Sequence, residues 1–252
     1  MDVKESVQRQ FGDVAANYST SAVHVTGPEL VALLDAYPFS SSDRVMDAGT
    51  GTGHTALAVA PLVAEVVAVD LTSSMLDQGR KLAAERGIAN VQFTAGDIER
   101  LNFADGSFDV VVSRYSAHHY PHPAVAVGEI ARVLKPGGVF LLADVVSPED
   151  PTADTYMNAI EVLRDPSHVR DHRVDQWQAM FEGAGLTKFA DLGRWPLRMQ
   201  LDTWTTRMNT PAATTAEIRR LFDIAPHEVR EALDVSPDYH FSIPVALMRG
   251  RR

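Results

Sequence analysis

Short apolar runs alternate with longer amphipathic segments between residues 41 and 146. The apolar runs predict five strands, at Arg44–Ala48, within Val63–Leu71, and at Val91–Ala95, Asp109–Ser113 and Val139–Val145. The segments between them predict helices at His54–Leu62, Ser73–Arg86 and Ala124–Leu134. Because Val, Leu and Ile occupy consecutive positions of the runs, we expect the strands to be buried on both faces, as in a parallel sheet covered by helices.

Outside this region the alternation gives way to mostly helical periodicity. Helices are predicted at Lys4–Tyr18, Pro28–Tyr37, Pro151–Leu163, Val174–Gly183, Leu201–Met208 and Thr214–Leu233, and two more strands at Leu186–Leu192 and His240–Met248. We therefore predict one α/β domain in three parts. They are an N-terminal helical segment over residues 1–40, a core over 41–146, and a C-terminal part over 147–252 with helical lid insertions.

The charge balance limits the class of partner. The chain has 252 residues, with 23 Lys and Arg against 33 Asp and Glu, so its formal net charge is -10. This balance argues against a nucleic-acid partner, because phosphate backbones are bound by clustered cations. The only dense basic cluster, residues 249–252, is interpreted as a solvated tail. The chain has no cysteine, which excludes disulfides, thiolate metal sites and a cysteine nucleophile.

The N-terminal residues 1–10 are polar and charged, unlike the apolar run of a signal peptide. No stretch of about 18 uncharged apolar residues is present that would span a membrane. We therefore expect a cytoplasmic protein without a membrane partner.

The most informative segment begins at Val45, where an apolar strand includes Asp47 and is followed by three alternating glycines and a helix. Such glycines let the backbone turn tightly and approach a ligand, and a helix N-terminus favours negative charge. Asp70, at the end of the second strand, is placed to accept ribose hydroxyls. The same residues satisfy the dinucleotide fingerprint, so at this point a nicotinamide dehydrogenase fits equally well.

Further motifs follow the glycine loop in order, Gly-Asp-Ile at residues 96–98 and Leu-Lys-Pro-Gly-Gly at residues 134–138. Together with the Asp-x-Gly-x-Gly-x-Gly loop, they resemble the successive motifs of class I S-adenosylmethionine-dependent methyltransferases. The segments at residues 11–18 and 114–119 resemble the small-molecule branch related to the ubiquinone and menaquinone biosynthesis methyltransferases. However, the chain has Ser-Arg-Tyr at residues 113–115, where the quinone C-methyltransferases carry a Leu-Arg-Asn type segment, which argues against a quinone substrate.

The resemblance implies a Rossmann-like α/β fold with a mostly parallel seven-stranded sheet, helices on both faces, a helical cap and a final antiparallel strand. It also implies S-adenosylmethionine as the cofactor. The glycine loop would hold the methionine part, Asp70 the ribose, and Asp97 with Ile98 the adenine. Tyr18 would fold over the cofactor on the N-terminal helix. The cofactor-binding residues expected on these grounds are Tyr18, Asp47, Gly49, Thr50, Gly51, Gly53, Asp70, Leu71, Met75, Asp97, Ile98 and Arg114.

Candidates for chemistry follow the fourth strand, because ligands of open α/β sheets bind beyond the carboxyl ends of the strands. His118 and His119 are the catalytic candidates, since a histidine there would deprotonate an acceptor near neutral pH. The alternative is that they only order the loop. With His122 they also suggest a metal site, but no carboxylate stands at ligand spacing beside them, so no metal is expected.

Arg164 and Arg170 are candidates to recognise an acidic substrate group, although each also suits a surface ion pair. Phe11 and Trp177 are interpreted as core residues. We therefore predict S-adenosylmethionine-dependent methyl transfer to an O, N or C nucleophile of a small-molecule acceptor. An NAD-dependent oxidoreductase and a non-catalytic cofactor-binding protein are the alternatives.

Overall fold

The computed structural model describes residues 2–19 and 26–252, and it describes side chains from residue 2 to Gly12 and again from Thr26 onward. Tyr18 lies within the first helix, but its predicted contact with the cofactor falls outside the described side chains. Within the described chain, no helix is long and apolar enough to cross a membrane.

A central sheet is built from seven strands. They span Arg44–Ala48 (β1), Glu65–Asp70 (β2), Val91–Ala95 (β3), Phe108–Arg114 (β4), Leu134–Val145 (β5), Thr187–Gln200 (β6) and His240–Arg251 (β7). The spatial order is β3-β2-β1-β4-β5-β7-β6. The pairs among β1 to β5 are parallel, whereas β7 is antiparallel to both β5 and β6. The predicted fold class and its antiparallel final strand are confirmed.

The helices cover both faces of this sheet. They span Val3–Ser19 (α1), Pro28–Asp35 (α2), His54–Val59 (α3), Ser73–Glu85 (α4), Pro123–Val133 (α5), Pro151–Arg164 (α6), Val174–Gly183 (α7), Leu201–Arg207 (α8), Ala212–Ile224 (α9) and His227–Ala232 (α10). Leu33 of α2 and Val59 of α3 are buried against one face. Ile130 of α5 and Phe181 of α7 are buried against the other, where Trp177 is also a core residue, as predicted.

A third group of buried side chains, which we call the cap cluster, joins the C-terminal helices to the end of the sheet. It includes Ile160, Trp204, Phe222, Val229 and Phe241. These side chains come from α6, α8, α9, α10 and β7, so segments far apart in sequence meet over the carboxyl edge of β5. The cap is therefore continuous with the main domain.

Two expectations from the sequence were wrong. The single helix predicted over Thr214–Leu233 is two helices, because Ala225 before Pro226 takes an extended backbone (φ -60°, ψ 135°), as residues before proline prefer. The terminal basic cluster is not a solvated tail. Arg249 and Arg251 belong to β7 and pair with β6 and β5, where the backbone hydrogen bonds of the sheet hold them.

The cap cluster yields a stability prediction. Phe222 is 1% exposed, and its ring centroid lies 5.0 Å from that of Phe241. We expect Phe222→Ala to lower the free energy of unfolding by about 3 to 5 kcal/mol, since it leaves a cavity in packed surroundings. Urea denaturation measures the change. Ile224→Ala, at a side chain 56% exposed on the same helix, is the control and should change it by less than about 0.5 kcal/mol. Equal losses in the two variants would contradict this account of the cap.

Candidate active site

A cavity with about 930 Å³ of open space lies at the carboxyl ends of the strands, where the glycine loop follows β1. We call it the loop cavity. Its wall includes most of the residues predicted to bind the cofactor, namely Gly49, Thr50, Gly51, Asp70, Leu71, Met75, Asp97, Ile98 and Arg114. Asp47 and Gly53 are not among its lining residues, and both support the loop from behind.

Asp47 is buried beneath the loop at 1% exposure. Its carboxylate accepts hydrogen bonds from the Thr50 hydroxyl at 2.6 Å and from the Ala56 backbone at 3.0 Å. Burial raises the pKa of Asp47 to about 6, although the hydrogen bond from Thr50 opposes the rise. This carboxylate therefore ties the loop to the first turn of α3.

The glycine loop needs left-handed backbone angles. Gly49, Gly51 and Gly53 have φ values of 70°, 53° and 84°, which L-residues rarely adopt. A Cβ added at Gly53 would lie 2.8 Å from a ring carbon of Phe93, whereas one at Gly51 would meet nothing within 4 Å. Packing against Phe93 thus requires a glycine at position 53. At Gly51 the backbone faces open space in the cavity.

Asp70 closes β2 beside this loop. One carboxylate oxygen accepts from the Gly51 backbone and the other from the Thr72 backbone, both at 2.8 Å. Burial raises the pKa of Asp70, and these backbone hydrogen bonds oppose the rise. The carboxylate is held in one orientation on the cavity wall, which suits the paired hydroxyls of a ribose.

Leu71, Met75 and Ile98 form an apolar strip next to Asp97, as an adenine ring and its amine would require. The Asp97 carboxylate accepts from the Lys4 ammonium at 2.7 Å, and Lys4 also bonds Glu99 at 2.6 Å. Helix α1 is thereby fixed over this end of the loop cavity. The carboxylate acceptors and apolar surfaces present fit a nucleoside with an attached amino-acid chain.

The floor of the loop cavity contains a buried ion pair. Arg114, at the end of β4, donates to Glu29 at 2.8 Å and to the Thr55 hydroxyl at 3.0 Å. Both charged side chains are at most 3% exposed, so the pair is protected from solvent screening. The following residue, Tyr115, has a left-handed backbone (φ 54°), an uncommon conformation outside glycine.

His118 is held by Asp144, at the carboxyl end of β5. Its Nδ1 lies 2.7 Å from an Asp144 carboxylate oxygen. The same carboxylate accepts from the backbone N–H groups of Ala117, His118 and Val145. Burial lowers the pKa of His118, but the charge and hydrogen bond of Asp144 outweigh this effect and raise the pKa to about 9.

His119 is in a different electrostatic state from its neighbour. Its Nδ1 donates to the Ser167 carbonyl at 3.1 Å, and its ring packs edge-on against Phe11 at 4.9 Å. Burial, together with the charge of His118, lowers the pKa of His119 to about 4. At neutral pH the two rings therefore differ in charge, although their centroids are 4.3 Å apart.

A second cavity, with about 540 Å³ of open space, adjoins the first. We call it the acidic cavity. Phe11, Tyr115 and His119 line both cavities. The remaining wall combines apolar side chains with buried charges, and it includes His118, Val145, Glu161, Arg164, Asp165, Asp171, Leu197, Met199, Trp204, Arg207 and Ile243.

The other candidates lie outside the cavities or are already engaged. Arg170 donates to both carboxylate oxygens of Asp154, at 2.9 and 2.6 Å. Arg164 lines the acidic cavity but bonds the Trp204 carbonyl at 3.2 Å. His122 lies on the surface beside Glu99, and the described residues contain no group of three or more His, Asp or Glu side chains arranged to hold a metal ion.

Several residues of the site were missed from the sequence. Phe11 was expected in the core but lines both cavities, because α1 crosses over them. Asp144 was overlooked, although an acid at the end of an apolar strand was a usable signal. Asp171 lies in a loop with no such pattern, and the sequence offered nothing to find it.

The chain is similar to known methyltransferases in sequence and in structure. A family model described as a methyltransferase domain matches residues 39–185, more than half of the chain. The uncharacterized methyltransferase YcgJ of Bacillus subtilis is 40% identical over 226 residues, which are 90% of this chain and 89% of YcgJ. Its crystal structure has a TM-score of 0.85 at 38% identity, covering 88% of this chain and 97% of that one.

Two further relatives extend the comparison. The ubiquinone/menaquinone biosynthesis C-methyltransferase UbiE of Ectopseudomonas mendocina is 35% identical over 165 residues, 60% of this chain and 64% of UbiE. The fold is also shared by phosphoethanolamine N-methyltransferase 2 of Haemonchus contortus, solved with phosphomonomethylethanolamine and S-adenosylhomocysteine. That structure has a TM-score of 0.69 at 17% identity and covers 100% of this chain and 61% of its own.

The histidine pair predicts a measurable difference in titration. Because Asp144 raises the pKa of His118 to about 9, one histidine ring should stay protonated well above neutral pH. NMR of the histidine ring signals between pH 5 and 10 measures this. The ring signal that titrates near pH 9 should be absent in His118→Gln and present in His122→Gln, the control at an exposed histidine. If every ring titrates below pH 7, the charged state of His118 described above is wrong.

Proposed function

Because the chain belongs to the S-adenosylmethionine-dependent methyltransferases, we propose that it transfers the methyl group of this cofactor to a small-molecule acceptor. In this proposal the cofactor lies in the loop cavity and the acceptor in the acidic cavity. The observation that carries it is the contact between the two cavities at Phe11, Tyr115 and His119. Donor and acceptor would meet across these three side chains.

The loop cavity supports the cofactor assignment by the chemistry of its wall. Asp70 would accept the ribose hydroxyls, and Asp97 would accept the adenine amine while Leu71 and Met75 pack against the ring. The turned backbone at Gly49 and Gly51 would let the methionine part lie close to the loop. Bound there, the cofactor supplies an activated methyl group on a sulfonium.

The residues of this chain would act mainly by alignment and by exclusion of water. Helix α1 covers the loop cavity with Lys4, Val7 and Phe11, and α6 and α8 enclose the acidic cavity. An acceptor that loses a proton needs a base nearby. Because Asp144 raises the pKa of His118 to about 9, this ring is already protonated at neutral pH. The neutral ring of His119, whose pKa is lowered to about 4, is the one that would accept the proton.

The acidic cavity supports a small acceptor. Helices α6 and α8 and strands β6 and β7 enclose it, and its wall holds both apolar side chains and buried charged groups. Its buried charged groups, Glu161, Arg164 and Asp171, are a poor environment for the isoprenoid tail of a quinone. A quinone is therefore not the acceptor we propose, in spite of the similarity to UbiE.

Cofactor binding tests this proposal directly. We expect isothermal titration to give a micromolar Kd for S-adenosylhomocysteine and no binding of NAD. Asp70→Ala should raise the Kd for S-adenosylhomocysteine by about tenfold or more, because charge-assisted hydrogen bonds contribute about 1.5 to 3 kcal/mol. Asp77→Ala, at an exposed position of α4, is the matched control and should bind like the wild type.

Thermal denaturation of Asp70→Ala should accompany the titration, because Asp70 also holds the Gly51 and Thr72 backbone. Asp70→Asn gives a second variant of closer shape. Binding of NAD without binding of S-adenosylhomocysteine would refute the proposal and favour an oxidoreductase. If both Asp70 variants bind S-adenosylhomocysteine as tightly as the wild type, Asp70 does not bind the ribose.

A further inference from the structure

The acidic cavity contains an excess of negative charge. Among the described residues its wall carries three carboxylates, Glu161, Asp165 and Asp171, and two guanidinium groups, Arg164 and Arg207. The charge of His118 is matched by Asp144, which lies directly behind it at 2.7 Å. Among the described residues, the wall therefore carries one more carboxyl group than guanidinium groups.

Two of the three wall carboxylates have clear partners. Asp165 accepts from the Ser167 backbone at 2.8 Å and from the Ser167 hydroxyl at 2.6 Å. Glu161 lies 3.5 Å from a guanidinium nitrogen of Arg164, the residue one helical turn further along α6. These acids are accounted for by the fold itself.

Asp171 differs from both. It is 1% exposed, and neither of its carboxylate oxygens has a hydrogen-bond partner within the described part of the chain. The nearest basic ring nitrogen, Nε2 of His168, is 3.8 Å away, and burial lowers the pKa of His168 to about 2, so this ring is neutral. The adjacent Arg170 is engaged by Asp154.

An uncompensated buried carboxylate disfavours the folded state, because its desolvation is not balanced by hydrogen bonds. Burial, followed by the charge of Glu161, raises the pKa of Asp171 well above its usual range, and the charges of His118 and Arg170 only partly oppose the rise, so the acid tends to hold its proton while the cavity is empty. Folding alone gives no reason for the acid to lie on a cavity wall. A ligand that brings a cationic donor into the cavity does.

We propose that Asp171 binds a protonated amine of the acceptor, and that the acceptor is a small amphiphilic amine. This inference rests on the proposed function, since it takes the acidic cavity as the acceptor site. The apolar part of the molecule would pack against the apolar side chains of the wall, Met199, Trp204 and Ile243. An acceptor with a carboxylate in place of the amine would add a negative charge to a cavity that already has one in excess.

A matched series of probes tests the inference. Benzylamine, benzyl alcohol and benzoate share one ring and differ in charge, and each is titrated calorimetrically into protein saturated with S-adenosylhomocysteine. We expect benzylamine to bind at least about tenfold more tightly than the other two, because a charge-assisted hydrogen bond forms only with the amine. This preference should disappear in Asp171→Asn and persist in Asp175→Asn, an exposed control on α7.

A second readout separates ligand binding from a structural role. Since neither carboxyl oxygen of Asp171 makes a hydrogen bond within the described part of the chain, Asp171→Asn removes no bond of the fold, and the variant should melt no lower than the wild type at pH 7. If the Asp171 carboxyl group instead stabilised the fold, Asp171→Asn would lower the melting temperature of the protein. The probe series in the wild type decides the inference even if the variant does not fold.

The possible results are distinct. Equal binding of the three probes, tightest binding of benzoate, no heat from any probe, or an amine preference that survives in Asp171→Asn overturns the amine inference. Those results leave the proposed function standing as long as S-adenosylhomocysteine binds. Failure of S-adenosylhomocysteine to bind refutes the proposed function, and the inference fails with it.

Discussion

The buried carboxylate of Asp144 organises the part of the molecule where the two cavities meet. It is 0% exposed, and it receives three backbone N–H groups as well as the ring of His118. These bonds determine how the chain turns after β4, and therefore where Tyr115 and His119 lie on the shared wall. A carboxylate this deeply buried is tolerated because its hydrogen-bonding capacity is filled.

The remaining walls are brought to this point by long-range contacts. Helix α1 reaches the loop cavity from one end of the chain through Lys4 and Phe11. The acidic cavity is enclosed by α6 and α8 together with residues of the last two strands, such as Met199 of β6 and Ile243 of β7. The cap cluster supports these segments from outside, so the packing of apolar residues away from the cavities fixes the position of the charged residues within them.

Much of this architecture was predictable from local pattern. The strand positions and the glycine loop with Asp70 follow from periodicity and from motif spacing, which depend on residues close together in sequence. The apolar strip beside Asp97 was expected only from the resemblance to the class I methyltransferases. The role of Phe11 was not predictable, because it depends on a contact with His119, more than a hundred residues away in sequence. Asp171 was not predictable, because it lies in a loop without a regular pattern. The proline at position 226 was a sequence signal for the end of a helix, but the helical periodicity on both sides of it favoured one continuous helix.

The two cavities draw their walls from different stretches of the chain. The loop cavity uses residues up to Pro121, and the acidic cavity takes most of its own wall from residues 145–243. Substitutions in the second stretch therefore change the chemistry of the acidic cavity and leave most of the wall of the loop cavity as it is.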